Sequence, residues 1–408
     1  MNPFLVLLSG YLNNNKGNSI MDKLFNVDSA NNGNNSYDIQ EVMTHVGEVI
    51  KVIGVGGGGC NAVDSMVRSG VKNVEFICAN TDAKALSRNK AHHLLQLGHG
   101  LTRGLGAGSQ PEIGKKSAME DREKIASLLK GTDMLFIAAG MGGGTGTGAA
   151  PVIAEIAKSL NILTVGVVTK PFDYEGGKRR KTADEGIQEL RKYVDSLIVL
   201  PNEKLLSELD EEVSMREAFS ASDDILRGAV LGITEVIKTP GVISLDFADI
   251  KTVMSGRGLA MMGSAAASGA DRGTIAAQNA ICSPLLDDVS LDGALGVLVN
   301  VTSGYGTLRM KEFHEIMGII QTHIHPDADF KAGMAEVENM DADEIRVTVI
   351  ATGLNDIKIS SDTELFKKND EQAQAANSAE TEEANDLFGN VVDKSIFSTP
   401  AFFRRNRS

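Results

Sequence analysis

AAGMGGGTGTGAA, residues 138–150, sets six glycines and two threonines between an apolar run, DMLFIAAG, and a helix-like stretch, APVIAEIAKSL. A loop this bare lets backbone N–H groups approach phosphate at a helix N-terminus, where the helix dipole favours negative charge. It contains no lysine, although a nucleoside triphosphate is strongly anionic.

Outward from the loop, strands alternate with helices. VIKVIGV (49–55) reads as a buried strand, GGGGC (56–60) as a turn, and NAVDSMVRSG (61–70) as a helix stopped by Gly70. VEFICANTD (74–82) is the next strand, EDREKIASLLKG (120–131) a helix, and ILTVGVVTK (162–170) the strand after the signature loop. This grammar predicts an α/β fold with a Rossmann-like doubly wound parallel sheet. A long central helix fits 215–238, with Phe219, Leu226, Val230, Ile233 and Ile237 on one stripe, ended by Thr239-Pro240-Gly241. Past residue 255, GALGVLVNVTSG and EIRVTVIATG read as strands of a second, smaller α/β domain with a mixed sheet.

The 408 residues suffice for two domains, and 42% hydrophobic with 23% charged residues is a soluble globular composition. A net charge of −14 argues against a nucleic-acid binder. No apolar run approaches a membrane span. Cys60, Cys78 and Cys282 fit neither a disulfide framework nor a zinc motif, which points to a reducing cytoplasm. The start lacks a basic n-region and a cleavage site, so residues 1–47 read as a flexible extension, with Met21 an alternative start. Residues 355–394 read as a disordered linker, since so few large apolar side chains cannot offset ordering entropy. SIFSTPAFFRRNRS at 395–408 regains Ile396, Phe397, Phe402 and Phe403 and reads as a short docking peptide.

GVGGGGCN (54–61) contains GxGxxG between strand and helix, and Asp82 stands where a ribose-binding carboxylate would, so a nicotinamide dehydrogenase is a rival. A dehydrogenase does not need a second glycine loop. Two such loops at two helix N-termini in one sheet suit a polyphosphate held by backbone. No GxxxxGK[ST] occurs, EIGKKS (112–117) lacks its first glycine, and the guanine reader NKxD is absent, which excludes a P-loop protein.

GGGTGTG at 142–148 resembles the signature of the tubulin/FtsZ family of GTPases. IKVIGVGGGGCNAV, NTDAKAL, TRGLGAGSQPEIG, VTKPFDYEGGKR, DFADIKTVMSGRG, AMMGS and SPLLDD extend the resemblance, to bacterial cell-division members, over about residues 48–354. It implies a GTP-binding domain at 48–214, a central helix at 215–240 and a GTPase-activating domain at 241–354. GTP or GDP with Mg²⁺ is the implied ligand. Gly57, Gly58, Gly59, Cys60 and Asn61, with Gly143, Gly144 and Thr145, take the phosphate positions. Ala107 and Gly108 resemble the γ-phosphate sensor, and Glu175 and Arg179 the ribose and phosphate contacts. Asp223 resembles the guanine reader, with Phe219 stacking on the base or packing in the core. A carboxylate at Asp223 accepts from guanine N1–H and N2–H₂, which adenine does not match.

Asp246 and Asp249 of SLDFADIK (244–251) resemble the catalytic acids that enter the site of the next molecule and polarise water. On their own they read as ordinary helix-start acids. Ser244 stands where relatives usually carry Asn, which implies slower turnover. Head-to-tail self-assembly into division-ring filaments follows from the resemblance. So do adaptors that tether to the membrane through 395–408, where Lys394 and Ser395 depart from the usual acidic start. The resemblance places the protein in the cytoplasm at the division site, without inserting into the membrane. A structural relative that polymerises or caps filaments without hydrolysis is the alternative; retention of both aspartates counts against it. A helix N-terminus lowers a thiol pKa, so Cys60 reads either as a tolerated small residue or as a reactive thiol.

Overall fold

The computed structural model describes residues 47–354, apart from 207–212, 239–242, 244, 257, 284–285, 287–290 and 339. Ser244, the helix stop at 239–241, the extension before residue 47, the linker and the 395–408 peptide lie outside the described residues.

The described strands are β1 (Ile50–Val55), β2 (Glu75–Asn80), β3 (His93–Gln96), β4 (Met134–Gly140), β5 (Leu163–Lys170), β6 (Ser196–Pro201), β7 (Gly258–Ser268), β8 (Gly296–Gly304), β9 (Asp329–Val337) and β10 (Glu344–Thr352). They form one sheet in the order β3-β2-β1-β4-β5-β6-β7-β10-β8-β9. Its mixed character rests on one strand: β10 runs antiparallel to both β7 and β8, and every other pairing is parallel. The two halves join through a short parallel ladder, Ser196↔Gly258, Leu197↔Leu259 and Ile198↔Ala260. Nine strands therefore share one direction, and the sheet has an upper edge, where those strands end, and a lower edge, where they begin.

Eight helices matter for the site: α1 (Gly56–Arg68), α2 (Pro111–Glu120), α3 (Thr145–Ser159), α4 (Gly177–Arg191), α5 (Met215–Lys238), α6 (Phe247–Met254), α7 (Arg272–Ile281) and α8 (Met310–Gln321). One face of the sheet packs on α1, α5 and α6; the other packs on α3 and α4 in the first half and on α7 and α8 in the second. With both faces covered, β1 is buried along its whole length, Lys51 included. Lys51 keeps its ammonium satisfied by Glu75 at 2.9 Å and the Leu128 carbonyl at 2.7 Å. Each fully buried Val, Leu or Ile contributes about 1.5–3 kcal/mol. On β10, Ile345, Val347 and Val349 face α7 and α8, while Thr348 and Ile350 on the opposite face are buried too.

GGGGC is not a separate turn. The chain bends at Gly56 (φ +72°), and Gly57–Cys60 already form the first turn of α1. The predicted helix 120–131 is confined to Arg122–Leu129, because the chain breaks at Asp121, whose buried carboxylate accepts from Gly98 N at 2.8 Å. Its neighbour α2 contains EIGKKS as an ordinary helix docked on α3, with Lys115 and Lys116 exposed.

Helix α5 matches its predicted span and runs opposite to the parallel strands. Near its start Ser222 Oγ donates to Asn202 Oδ1 at 2.9 Å, just past the end of β6; at its finish Lys238 Nζ donates to the Glu48 carbonyl, just before β1. Its 24 residues, about 36 Å at about 1.5 Å per residue, cross the sheet from upper edge to lower.

Candidate functional site

The upper edge gathers both glycine loops, and the surroundings of each glycine show which atoms are open. A Cβ on Gly59 would lie 2.1 Å from the Ala138 carbonyl, and one on Gly148 would lie 1.9 Å from the Pro111 carbonyl. These glycines let helices sit against strands and against each other. Gly57 and Gly143 are different: a Cβ there meets nothing within 4 Å. One lies in the first turn of α1 and the other just before α3, so unobstructed backbone N–H groups stand at two helix N-termini. Gly58 and Asn61 are also exposed, with Gly58 backing onto Gly140.

The remaining predicted phosphate residues have more specific surroundings. Gly144 packs against the 107–110 loop, where its Cβ would come within 2.9 Å of the Ala107 side chain and of Gln110 N. Ala107 is buried; Gly108 is exposed in a left-handed conformation (φ +57°). Thr145 Oγ1 lies 2.6 Å from Thr81 Oγ1, a buried hydroxyl pair between the ends of β2 and β4 that sequence reasoning missed. Thr147 Oγ1 accepts from Gly142 N at 2.9 Å and fixes the loop's entry. Gly142 (φ +92°) leaves no room for a side chain, because Arg179 crosses it: a Cβ would meet the Arg179 carbonyl at 2.6 Å. Arg179 is thus brought against the signature loop, held by Glu175 at 2.8 Å, and Glu175 in turn accepts from Phe172 N at 2.9 Å.

Cys60 resolves against the reactive reading. Its side chain turns into the core, with Sγ 3.4 Å from the Gly54 carbonyl and 3.8 Å from that of Ala79. The adjoining Cys78 thiol, and then burial, push its pKa well above the ordinary range. Asp82, the rival's ribose carboxylate, caps the turn Ala83–Leu86 instead, accepting from Ala85 N at 2.9 Å.

At the head of α5, Phe219 is 44% exposed and meets Phe172 edge-on, ring centroids 5.3 Å apart. It therefore presents a free face, unlike Leu226, Val230 and Ile233 of the same predicted stripe, which are buried. Asp223, one turn on, is half-buried, and burial and then Asp224 push its pKa up to about 7. No ion pair or hydrogen bond engages its carboxylate among the described residues. A sheltered acceptor beside an open aromatic face suits a base that donates two hydrogens.

Asp246 and Asp249 stand elsewhere. Asp246 is the exposed N-cap of α6, and its carbonyl accepts from Asp249 N at 2.9 Å. Helix α6 packs on β8 and β9, and its last carbonyls accept from Ser196 Oγ at 2.6 Å, at the start of β6, and from Thr352 Oγ1 at 2.8 Å. Those contacts mark the lower edge. Sideways, β8 stands five strands from β4, about 24 Å at about 4.8 Å per strand. The structure brings the two loops, Arg179, Phe219 and Asp223 to one edge and leaves both acids at the other.

Among the described residues no group of three or more His, Cys, Asp or Glu side chains could hold a metal ion. No described helix is long and apolar enough to cross a membrane.

A doubly wound sheet with open glycine backbone at two helix N-termini, and a carboxylate at the head of a connecting helix, fits a class of α/β nucleotide-binding protein distinct from P-loop enzymes. The family description "Tubulin/FtsZ family, GTPase domain" matches residues 49–210, and "FtsZ family, C-terminal domain" matches 258–355. The chain is 58% identical to Cell division protein FtsZ of Neisseria gonorrhoeae over 321 residues, 78% of this chain and 81% of that protein. It is 56% identical to that of Pseudomonas putida over 306 residues, 75% of this chain and 76% of the relative. An FtsZ dimer of M. jannaschii superposes with a TM-score of 0.72 at 40% identity, covering 76% of this chain and 89% of that one. The chain belongs to the tubulin/FtsZ family. A protofilament of CetZ2 from Haloferax volcanii, at 18% identity and TM-score 0.65 over 80% of this chain and 99% of that one, shares the fold.

Proposed function

We propose that this chain is a GTP-dependent polymerising GTPase of cell division, whose active sites are completed head to tail. The observation that carries the reading is the separation of the loops and the acids to opposite edges of one sheet. An upper edge cannot reach its own lower edge, but in a stack of copies the two meet. Such a contact is heterologous and does not close, so repetition yields a filament.

In this reading residues 48–214 form the GTP-binding domain, α5 within 215–240 the connection, and 241–354 the domain that supplies the acids. The open N–H groups around Gly57 and Gly143 hold the polyphosphate, Arg179 adds a positive charge, and Asp223 accepts from the guanine edge. Magnesium, carried by the triphosphate, neutralises charge on its oxygens. Asp246 and Asp249 of the next copy orient the water, and a carboxylate accepts its proton as the water oxygen attacks the γ-phosphorus, the β–γ bridging bond breaks and GDP leaves. Hydrolysis then weakens the junction. We further propose that the protein works in the cytoplasm at the division site and that 395–408 binds membrane-tethering adaptors. Deleting 395–408 abolishes adaptor capture and spares GTP turnover.

A mixing experiment tests the completed site. Asp246→Ala has intact loops and no first acid; Gly143→Val has intact acids and a blocked loop. Mixed with GTP, the two form junctions in which loops of the first meet acids of the second. Phosphate release should appear in the mixture and in neither variant alone. A mixture as silent as its components, with both variants in the pelleted polymer, would contradict hydrolysis across the junction.

A further inference from the structure

The lower edge contains a cation that no motif announces. Strand β9 is an edge strand paired in parallel with β8, Leu298 opposite Lys331 and Asn300 opposite Gly333. Alternate residues share a face, and the face of Gly333 looks onto α5 and the entry to α6: its Cβ would lie 3.1 Å from Val236 Cγ1 and 3.4 Å from the Leu245 side chain. Lys331, two residues earlier on that face, reaches Asp249, Nζ to Oδ1 2.7 Å. The pair is open to solvent, with the Lys331 and Asp249 side chains 35% and 37% exposed. Asp246 makes no side-chain cap bond and has no ion-pair partner among the described residues. One acid is clamped and the other is loose.

This asymmetry answers an electrostatic problem. An edge that presents two unneutralised carboxylates to a triphosphate meets like-charge repulsion that grows as water is excluded. It also has to hold one acid in a fixed direction for water to be aligned. Resting on the head-to-tail reading above, we propose that Lys331 is a positioning residue for hydrolysis: it fixes the Asp249 carboxylate and offsets its charge, leaving Asp246 free to act on the water. The hydrogen bond and charge of Asp249, and then the charge of Asp329 two residues before Lys331, raise the Lys331 pKa and favour its charged ammonium. Lysine is absent from the glycine loops of this chain, and Lys331 supplies positive charge to the junction from the other side.

The test uses the full chain carrying Lys331→Met, Lys331→Gln, Lys331→Arg, Asp249→Asn, and Asp249→Asn with Lys331→Met. Turnover per unit of pelleted polymer, KM for GTP and thermal midpoint are measured for each. Both neutral replacements should lower kcat about tenfold with KM and midpoint unchanged, and Lys331→Arg should stay within about twofold of the natural chain. Adding Lys331→Met to Asp249→Asn should cost nothing further, since the lysine acts through that acid. Natural turnover per polymer in both neutral variants overturns the proposal, as does a loss that adds fully to that of Asp249→Asn. The underlying reading fails separately: it falls if Asp246→Ala hydrolyses GTP at the natural rate, whatever the lysine variants do.

Discussion

The two edges of the sheet are built from different materials. In the proposed reading the upper edge works through backbone: its useful groups are N–H donors at positions where glycine has removed side chains, and helices wedged against strand ends hold them in place. The lower edge, in the same proposed reading, works through side chains on a short helix, with one acid at the N-cap position of α6 and the other held by a lysine from a strand far away in sequence. A backbone site cannot be tuned by exchange of one functional group, only damaged by added bulk. A side-chain site loses chemistry while its fold stays intact.

The sharpest way to break this contrast lies within the signature loop. Gly148→Ala drives a methyl group into the Pro111 carbonyl and should destabilise the chain by about 3 kcal/mol or prevent folding. Gly143→Ala meets open space and should leave the urea midpoint unchanged. Equal midpoints for the two would refute the division into packing and ligand-facing glycines. At the lower edge, Asp246→Ala should cost about a hundredfold in GTP turnover while binding GDP as the natural subunit does; a matching loss of GDP affinity would place the acid in the binding site.

Between these extremes sits Asp223, the side-chain reader that the proposal places on the backbone edge. With its pKa at about 7, a guanine that donates to this carboxylate as proposed competes with a proton below that pH. Folding itself shows the reverse sign: burial of the ionised form opposes stability as pH rises from the ordinary carboxylate range through 7, and that cost is absent below it. GDP affinity should therefore fall as pH drops from 8 to 6, approaching about tenfold per unit, and Asp223→Asn should bind weakly and flatten that slope. The smallest effect belongs to Phe219→Ala, about fivefold in GDP affinity from lost stacking, with no change in thermal midpoint since the ring is already 44% exposed.

What the sequence disclosed follows the same contrast. Backbone function leaves a mark, because only glycine permits it, so both loops and the alternation around them were legible, as was the 24-residue helix α5. The four-residue β3 was too short to show a period, and β9 carries no clean alternation. The role of each glycine was not legible: Gly57 and Gly59 are the same letter, and only tertiary contact makes one a donor and the other a hinge for packing. Cys60 was misleading for a related reason, since a helix N-terminus activates a thiol only if the side chain points outward. The Lys331–Asp249 pair spans 82 positions and depends on strand register, which no local pattern encodes.

The shared direction of nine strands gives each subunit an arrow. In a stack of n copies assembled as proposed, one terminus offers a bound nucleotide with no acids above it and the other offers acids with nothing to act on. Such a stack has n − 1 working sites. Its catalytic output per subunit starts at zero for a lone copy and climbs with length, so the molecule counts its own neighbours in the rate at which it releases phosphate.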